Sequence, residues 1–383
     1  MRIIMASRES DWRREAENSI LLKAVSHWRE KPERWFQGSY DRLPETVRVN
    51  PICEEKDWVE SWLLGVGANR IPWFSGPGSA WEMPFERGSA EEEVKSLMAA
   101  LHETGRITRQ EAVSMLPVLA LDPTPGQIIL DLCASPGSKT TQICEHLGDS
   151  GAVIANEVIS GRVNTLVTNV QRHASRTVLV VQHDGRHMPK VPGSGFDGVL
   201  VDVPCTGSGT TRKNPDVWGK WRPSSGRSLH SLQYDLLSRA IALTKPGGRV
   251  VYSTCSLDPI ENEAVVARVV ADGKVRVVPR GDSLSGVPSN PGMTNWPLLN
   301  DRGELDVESK SEEYLLPTKD KAVSSQLNDC LRVWNDEIGG GGFFLAVLER
   351  ILEEDVSRAI DPFPSQKRFC LLYTSDAADD SLR

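Results

Sequence analysis

What the 383-residue chain lacks narrows it first. No apolar stretch approaches the roughly 20 residues that span a bilayer, and residues 1–30 carry Arg and Glu throughout, with no signal-peptide core. The seven cysteines form no CxxC pair and no Cys/His cluster at metal-ligand spacing. That argues against a disulfide framework and a zinc site. The thiols are therefore expected to be reduced, the compartment cytoplasmic, and no bound metal is expected. Positive charge is also in deficit, with 44 Lys and Arg against 52 Asp and Glu, a net −8. Taken globally, that sign speaks against a nucleic-acid binder. Aromatics make up only 6% of the chain.

What is present is unevenly placed. Hydrophobic content of 39% and charged content of 25% suit a globular protein large enough for more than one domain. Seven of the 11 tryptophans (Trp12, Trp28, Trp35, Trp58, Trp62, Trp73 and Trp81) precede residue 86. A small aromatic core is favoured for them over stacking on bases. Helical spacing covers 18–34 and 55–64, and 46–50 reads as a strand. Ser89 stands as the N-cap of a helix to Leu101. From 125 to 270 the rhythm is strand, helix, strand, helix, with strands at 127–132, 152–156, 177–182, 197–203 and 249–253. That alternation specifies a doubly wound parallel sheet. A Pro/Gly/Ser-rich insertion at about 271–325 follows, then strands at 331–333 and 342–348. The expected domains are a small N-terminal α+β unit (1–86) and an α/β unit (87–370). Residues 371–383 resemble no preceding pattern, read as a non-native tail, and are excluded from fold reasoning.

The strand ends carry the chemistry. In an open α/β sheet, residues at the carboxyl ends of strands line the ligand crevice. The first strand ends Asp131-Leu-Cys133-Ala134-Ser135-Pro136-Gly137-Ser138-Lys139. A small-residue turn into a helix lets backbone approach a nucleotide-like ligand. The turn is not GxGxxG and there is no Walker pattern. One glycine with Pro136 suits a ligand without pyrophosphate, such as S-adenosylmethionine. Glu157 closes the second strand, placed for ribose hydroxyls, and Asp184 the third, placed for the adenine amino group. Asp202 ends the fourth, three residues before Cys205, and Cys255 follows the fifth. An acid beside a thiol impairs a nucleophile; Asp202 makes better sense gripping a substrate base, with Lys139 completing the grip. Basic residues gather locally at Arg212, Lys213, Lys220, Arg222 and Arg227 against Asp216 alone. Arg212, Lys213 and Arg222 are candidates for phosphate contacts.

Asp-Leu-Cys-Ala-Ser-Pro-Gly-Ser-Lys, Asp-Val-Pro-Cys-Thr-Gly-Ser-Gly-Thr and Tyr-Ser-Thr-Cys-Ser resemble the RNA 5-methylcytosine methyltransferases of the Sun/NSUN family. The likeness covers roughly residues 40 to 350. Arg212-Lys-Asn-Pro-Asp-Val-Trp218 is most similar to the archaeal and eukaryotic tRNA branch. The resemblance implies a class I S-adenosylmethionine-dependent methyltransferase fold of seven strands, the last antiparallel. It implies Cys255 as nucleophile, Cys205 as the thiol that assists product release, and Asp202 and Lys139 as catalytic partners. Cys133, Ala134, Ser135, Pro136, Gly137, Ser138, Lys139, Glu157, Asp184 and Asp202 match the cofactor site. Glu157 departs from the pattern, standing where the family often has Asp.

The expected function is therefore S-adenosylmethionine-dependent formation of 5-methylcytosine in RNA, tRNA before rRNA, by a monomer without membrane association. An rRNA cytosine methyltransferase and a catalytically inactive RNA-binding homologue are the alternatives.

Overall fold

The computed structural model describes residues 12–190, 195–279, 281–306 and 312–351, and the backbone of 370–373. Ser19 starts a helix by accepting from the Leu22 amide at 3.1 Å. This helix, α1 (Ile20–Trp28), buries Leu21, Ala24, Val25 and Trp28, one face at helical spacing. The single helix expected over 18–34 is in fact two. The chain leaves α1 in extended conformation at Arg29, and Pro32 opens α2 (Pro32–Gly38). A proline is tolerated in the first turn of a helix but breaks its interior, and it drives the preceding residue out of helical conformation.

Four antiparallel strands form the small sheet in the order β2 (Asn69–Arg70), β3 (Ser79–Glu86), β1 (Pro44–Val49), β4 (Ile107–Arg109). Helices α3 (Lys56–Gly65) and α4 (Glu92–Glu103) supply Val59, Leu63, Met98 and Leu101 to its core, around Val47, Trp81 and Ile107. The sheet therefore closes past the expected boundary at residue 86, since Ile107 pairs with Val49 on the central strand. Ser89 does not cap α4. Glu91 holds that position without a side-chain bond, while the Ser89 hydroxyl donates to the Glu86 carbonyl at 2.7 Å.

Tryptophans fall on both sides of the two uses considered. Trp81 is fully buried in the small sheet, whereas Trp58 is 54% exposed. Trp28 and Trp35 pack outside the small sheet altogether, against Trp221 and Trp218 at ring distances of 5.7 and 5.5 Å. The α1–α2 hairpin is thereby bound to the larger domain.

That domain begins with α5 (Leu116–Leu121), which Asp122 ends in left-handed conformation. Its sheet runs β12 (Leu331–Val333), β13 (Phe343–Arg350), β9 (Thr244–Thr254), β8 (Phe196–Asp202), β5 (Ile128–Asp131), β6 (Ala152–Asn156), β7 (Val178–Gln182). β5 to β9 are mutually parallel and β13 is antiparallel to β9, the arrangement implied by the resemblance. Both faces are buried, as a parallel sheet requires. Leu130, Val199 and Val201 point to one core, and Ile129, Val153 and Leu200 to the other. The covering helices include α6 (Ser138–Leu147), α7 (Ser160–His173), α8 (Val217–Lys220), α9 (Pro223–Leu243) and α10 (Glu263–Ala271).

The segment expected as an insertion is partly built into the sheet. β10 (Val275–Val277) pairs with β13, β11 (Asn290–Pro291) pairs with β12, and α11 (Lys321–Gln326) follows. At the start of the tail excluded from fold reasoning, the backbone of β14 (Cys370–Tyr373) pairs antiparallel with β7. Residues 374–383 lie outside the described residues. Strand order reverses at β5, which has β6 on one side and β8 on the other. The carboxyl ends of β5 and β8, Asp131 and Asp202, thus flank the switch point where such sheets bind ligands. Among the described residues no helix is long and apolar enough to cross a membrane.

Candidate active site

After β5 the chain turns through Cys133, Ala134, Ser135 and a cis Ser135–Pro136 bond into Gly137, the N-cap of α6. Gly137 has φ 110°, and a Cβ there would lie 3.0 Å from Leu166 Cδ1. Conformation thus calls for glycine here, and a Cβ would also push the Leu166 side chain aside. Asp131 is buried beneath the turn; burial pushes its carboxyl up to about 7, against the Thr140 hydroxyl and the Lys139 charge. Thr140 donates to its Oδ2 at 2.7 Å. Its Oδ1, like Asn156 Oδ1 at the end of β6, is buried with no hydrogen-bond partner among the described residues. Orphaned buried acceptors at adjacent strand ends fit a ligand that donates there.

Glu157 and Asp184 sit where the sequence places them, at the ends of β6 and β7. Glu157 is 3% exposed, accepts from the Ile159 amide at 2.9 Å and faces Arg162 at 3.4 Å. Asp184 accepts from the Arg186 guanidinium at 2.7 Å, and chiefly that bond pulls its carboxyl down to about 2. Burial and the charges of Asp131, Asp202 and Glu157 push the Cys133 thiol far up. Such a shift disfavours the thiolate, the form in which cysteine reacts.

Lys139, Asp202 and the two thiols converge. Lys139 Nζ donates to Asp202 Oδ2 at 2.7 Å, and Ser253 Oγ donates to Asp202 Oδ1 at 2.7 Å. Burial works against the Lys139 charge, but Asp202, Asp131 and Cys255 outweigh it and the ammonium is held above its ordinary range. The sulfurs of Cys205 and Cys255 are 3.2 Å apart. Hydrogen bonding to Cys255, then burial, then the charges of Cys255 and Glu261 push the Cys205 thiol well up.

The loops carrying these thiols are pinned at Gly209. Its amide donates to the Cys255 carbonyl at 2.9 Å, and its carbonyl accepts from the Gly342 amide at 2.8 Å. A Cβ on Gly209 would fall 2.2 Å from the Gly342 oxygen, so no larger residue allows this three-way crossing.

A cleft of about 480 Å³ opens over the site. Gly137, Lys139, Asp202 and Cys255 form one wall, and Thr46, Arg109 and Gln110 form the other. The small sheet therefore faces the thiols across the cleft. Glu157 and Asp184 do not line this cleft. Of the three cations considered for phosphate, only Lys213 lines the cleft. Arg212 donates to the carbonyls of Asp41, Arg42 and Gly340, and Arg222 to those of Gly219 and Trp221. Their guanidiniums staple backbone, which corrects the expectation of phosphate contact.

Sequence reasoning missed Ser253 and Glu261. Ser253 stands in the quoted Tyr-Ser-Thr-Cys motif, two residues before the thiol, and strand alternation aims both the same way. Glu261 carries no such signal, since Glu261-Asn-Glu263 before a helix reads as a solvated first turn.

A doubly wound sheet of this strand order, with a glycine turn after its first strand and paired thiols at its carboxyl edge, defines a class I methyltransferase fold with a two-cysteine site. The chain belongs to the family described as 16S rRNA methyltransferase RsmB/F, whose model matches residues 118–349. It is similar to the multisite-specific tRNA:(cytosine-C(5))-methyltransferase of Saccharomyces cerevisiae, 35% identical over 77% of this chain and 47% of that protein. It is also 42% identical to the tRNA (cytosine(34)-C(5))-methyltransferase of Drosophila melanogaster, over 64% of this chain and 37% of that protein. Among solved structures, a methyltransferase homolog from Pyrococcus horikoshii superimposes with a TM-score of 0.63 at 26% identity. It covers 86% of this chain and 93% of that one. The chain spans less than half the length of these two curated relatives.

Proposed function

We propose that this protein transfers a methyl group from S-adenosylmethionine to carbon 5 of cytosine in RNA, tRNA in particular, through a covalent bond to Cys255. The observation that carries the reading is the 3.2 Å approach of Cys255 to Cys205 beside the Lys139–Asp202 pair. Bound S-adenosylmethionine supplies an electrophilic methyl group. The acidic crevice of Asp131, Glu157 and Asp184 with the Pro136–Gly137 turn would hold it; the orphaned Asp131 and Asn156 oxygens fit that role.

Carbon 5 of cytosine is too weak a nucleophile to be methylated unaided, and covalent catalysis remedies this. Cys255 Sγ attacks carbon 6 as a thiolate; the sulfur–carbon bond forms while the ring π electrons shift towards N3 and carbon 5. Lys139 lines the same cleft as Cys255, where its ammonium can stabilise a thiolate. Asp202, already receiving Lys139 and Ser253, has lone pairs left for the exocyclic amino group, and the adjacent ammonium balances charge reaching N3. Once carbon 5 is methylated, its proton must leave as the carbon–sulfur bond breaks and the 5,6 double bond returns. Cys205, 3.2 Å from the departing Cys255 sulfur, gives it a proton as it takes up the one from carbon 5. That division of labour separates two otherwise similar thiols.

The base must leave the RNA stack to reach Cys255, at a cost of a few kcal/mol. The wall formed by β1 and β4 of the small sheet, with Lys213, is placed to receive the displaced strand. Relatives named for tRNA align over most of this chain, which supports tRNA, whereas the family's description names 16S rRNA. Methyl incorporation into unmodified tRNA and 16S rRNA transcripts, followed by bisulfite mapping, tests the choice. Transfer to tRNA cytosines is expected; transfer to rRNA alone would overturn the substrate assignment.

A further inference from the structure

Behind the thiols lies a buried carboxylate to which neither the family resemblance nor the proposed reaction assigns a role. Glu261 accepts four hydrogen bonds: from the Thr206 amide, the Thr206 hydroxyl, the Ser256 hydroxyl and the Gln233 amide. Thr206 follows Cys205 and Ser256 follows Cys255. One carboxylate thus ties together the residues next to both sulfurs.

The donor set suits a carboxylate. The Thr206 amide and Gln233 Nε2, at 2.9 and 3.0 Å, can only donate. Each hydroxyl already accepts from elsewhere, Thr206 Oγ1 from Trp221 Nε1 at 3.0 Å and Ser256 Oγ from the Asp258 amide at 3.1 Å. Ser256 Oγ also lies 3.0 Å from Ser208 Oγ. One end of the Glu261 side chain thus faces two obligate donors, and the other faces two hydroxyls that donate to a carboxylate. Burial pushes the Glu261 carboxyl up, and these four bonds oppose that shift. The same group is fixed from behind, since its own carbonyl accepts from the Tyr252 hydroxyl at 2.5 Å.

We propose that Glu261 is the positioning residue of the thiol pair: by bridging Thr206 and Ser256 it sets the distance and orientation of Cys205 relative to Cys255, and so governs release of the methylated base. This rests on the reading of Cys255 as nucleophile and Cys205 as releasing thiol. Glu261 lies behind the loops, so Cys255 can still attack without it, while the proton exchange between the sulfurs depends on their register.

The test is Glu261→Gln in the full chain, assayed with tRNA transcript and radiolabelled S-adenosylmethionine, alongside Ser256→Ala and Cys205→Ala. Glutamine keeps the shape and can still accept from the Thr206 and Gln233 amides, but its N–H groups reverse both hydroxyl bonds, so the charge-assisted bridge between Thr206 and Ser256 is lost. Turnover is expected to fall about tenfold or more while KM for RNA stays within about twofold. Denaturing gels should show covalent protein–RNA adduct accumulating as in Cys205→Ala. Ser256→Ala, which removes one bond of the four, should give a smaller effect in the same direction, and it decides the matter if Glu261→Gln does not fold. Normal turnover in the folded variants, or turnover and adduct lost together, would overturn the proposal. Failure of the underlying reading looks different: Cys205→Ala itself would then form no adduct with RNA that the wild-type protein methylates.

Discussion

Arg48 of the small sheet reaches into the larger domain and closes on Glu145 of α6 with two hydrogen bonds, 2.6 and 2.8 Å long, both side chains fully buried. The same guanidinium donates to Gln110 and to the Ser138 carbonyl, next to Lys139. His173 completes the ring around Glu145 at 3.0 Å. One arginine therefore joins the outer wall of the cleft to the helix that carries Lys139.

Breaking this pair leaves a buried charge without its partner, which costs about 3–5 kcal/mol. Arg48→Ala is expected to lower the urea midpoint accordingly. Arg48→Lys should be nearly as harmful, because an ammonium cannot reproduce the bidentate fork. Equilibrium denaturation of both variants checks this; a lysine variant as stable as wild type would contradict it.

Asp131 gives stability a pH dependence of a definite sign. Burial raises its carboxyl from an ordinary 3.8 to about 7 in the folded protein. Between those values the folded state holds the proton more firmly than the unfolded chain, so this group's contribution falls as pH rises from about 4 to about 7. The span corresponds to something on the order of 4 kcal/mol. Asp131→Asn should flatten the profile and stabilise the apo protein most near pH 8. Denaturation at pH 5 and pH 8 reads the difference, and an unchanged slope in the variant would refute it.

Lys139 and Asp202 hold each other at 2.7 Å, so each removal leaves the other charge unpaired in the cleft. Lys139→Ala and Asp202→Asn are each expected to reduce kcat by roughly 10²–10³, the scale of losing one preorganised group at a developing charge. The double variant should be little worse than either single one, because the two act as a unit. Additive losses in the four-member kinetic cycle would show that they act independently.

Much of this was legible in the sequence. Strand alternation between 125 and 270 is strongly periodic, and the residues closing each strand (Glu157, Asp184 and Asp202) fall at strand ends by position alone. The paired thiols were visible for the same reason. The contacts that span long sequence separations were not. Nothing near Arg212 shows that its guanidinium turns away from solvent to bind carbonyls at Asp41 and Gly340. Nothing near Ile107 shows that it joins a strand begun at Pro44. The helix over 18–34 was misread where a local rule, proline at 32, outweighed a periodic pattern. Glu261 was hidden because acidic residues before a helix ordinarily face water, and only tertiary structure buries this one.

The division of roles between the two sulfurs is tested most directly by one comparison. Cys205→Ala and Cys255→Ala proteins are incubated with tRNA transcript and S-adenosylmethionine and resolved on denaturing gels. A heat-stable protein–RNA adduct should accumulate with Cys205→Ala and be absent with Cys255→Ala. An adduct formed by the Cys255→Ala protein and missing from Cys205→Ala would reverse the assignment.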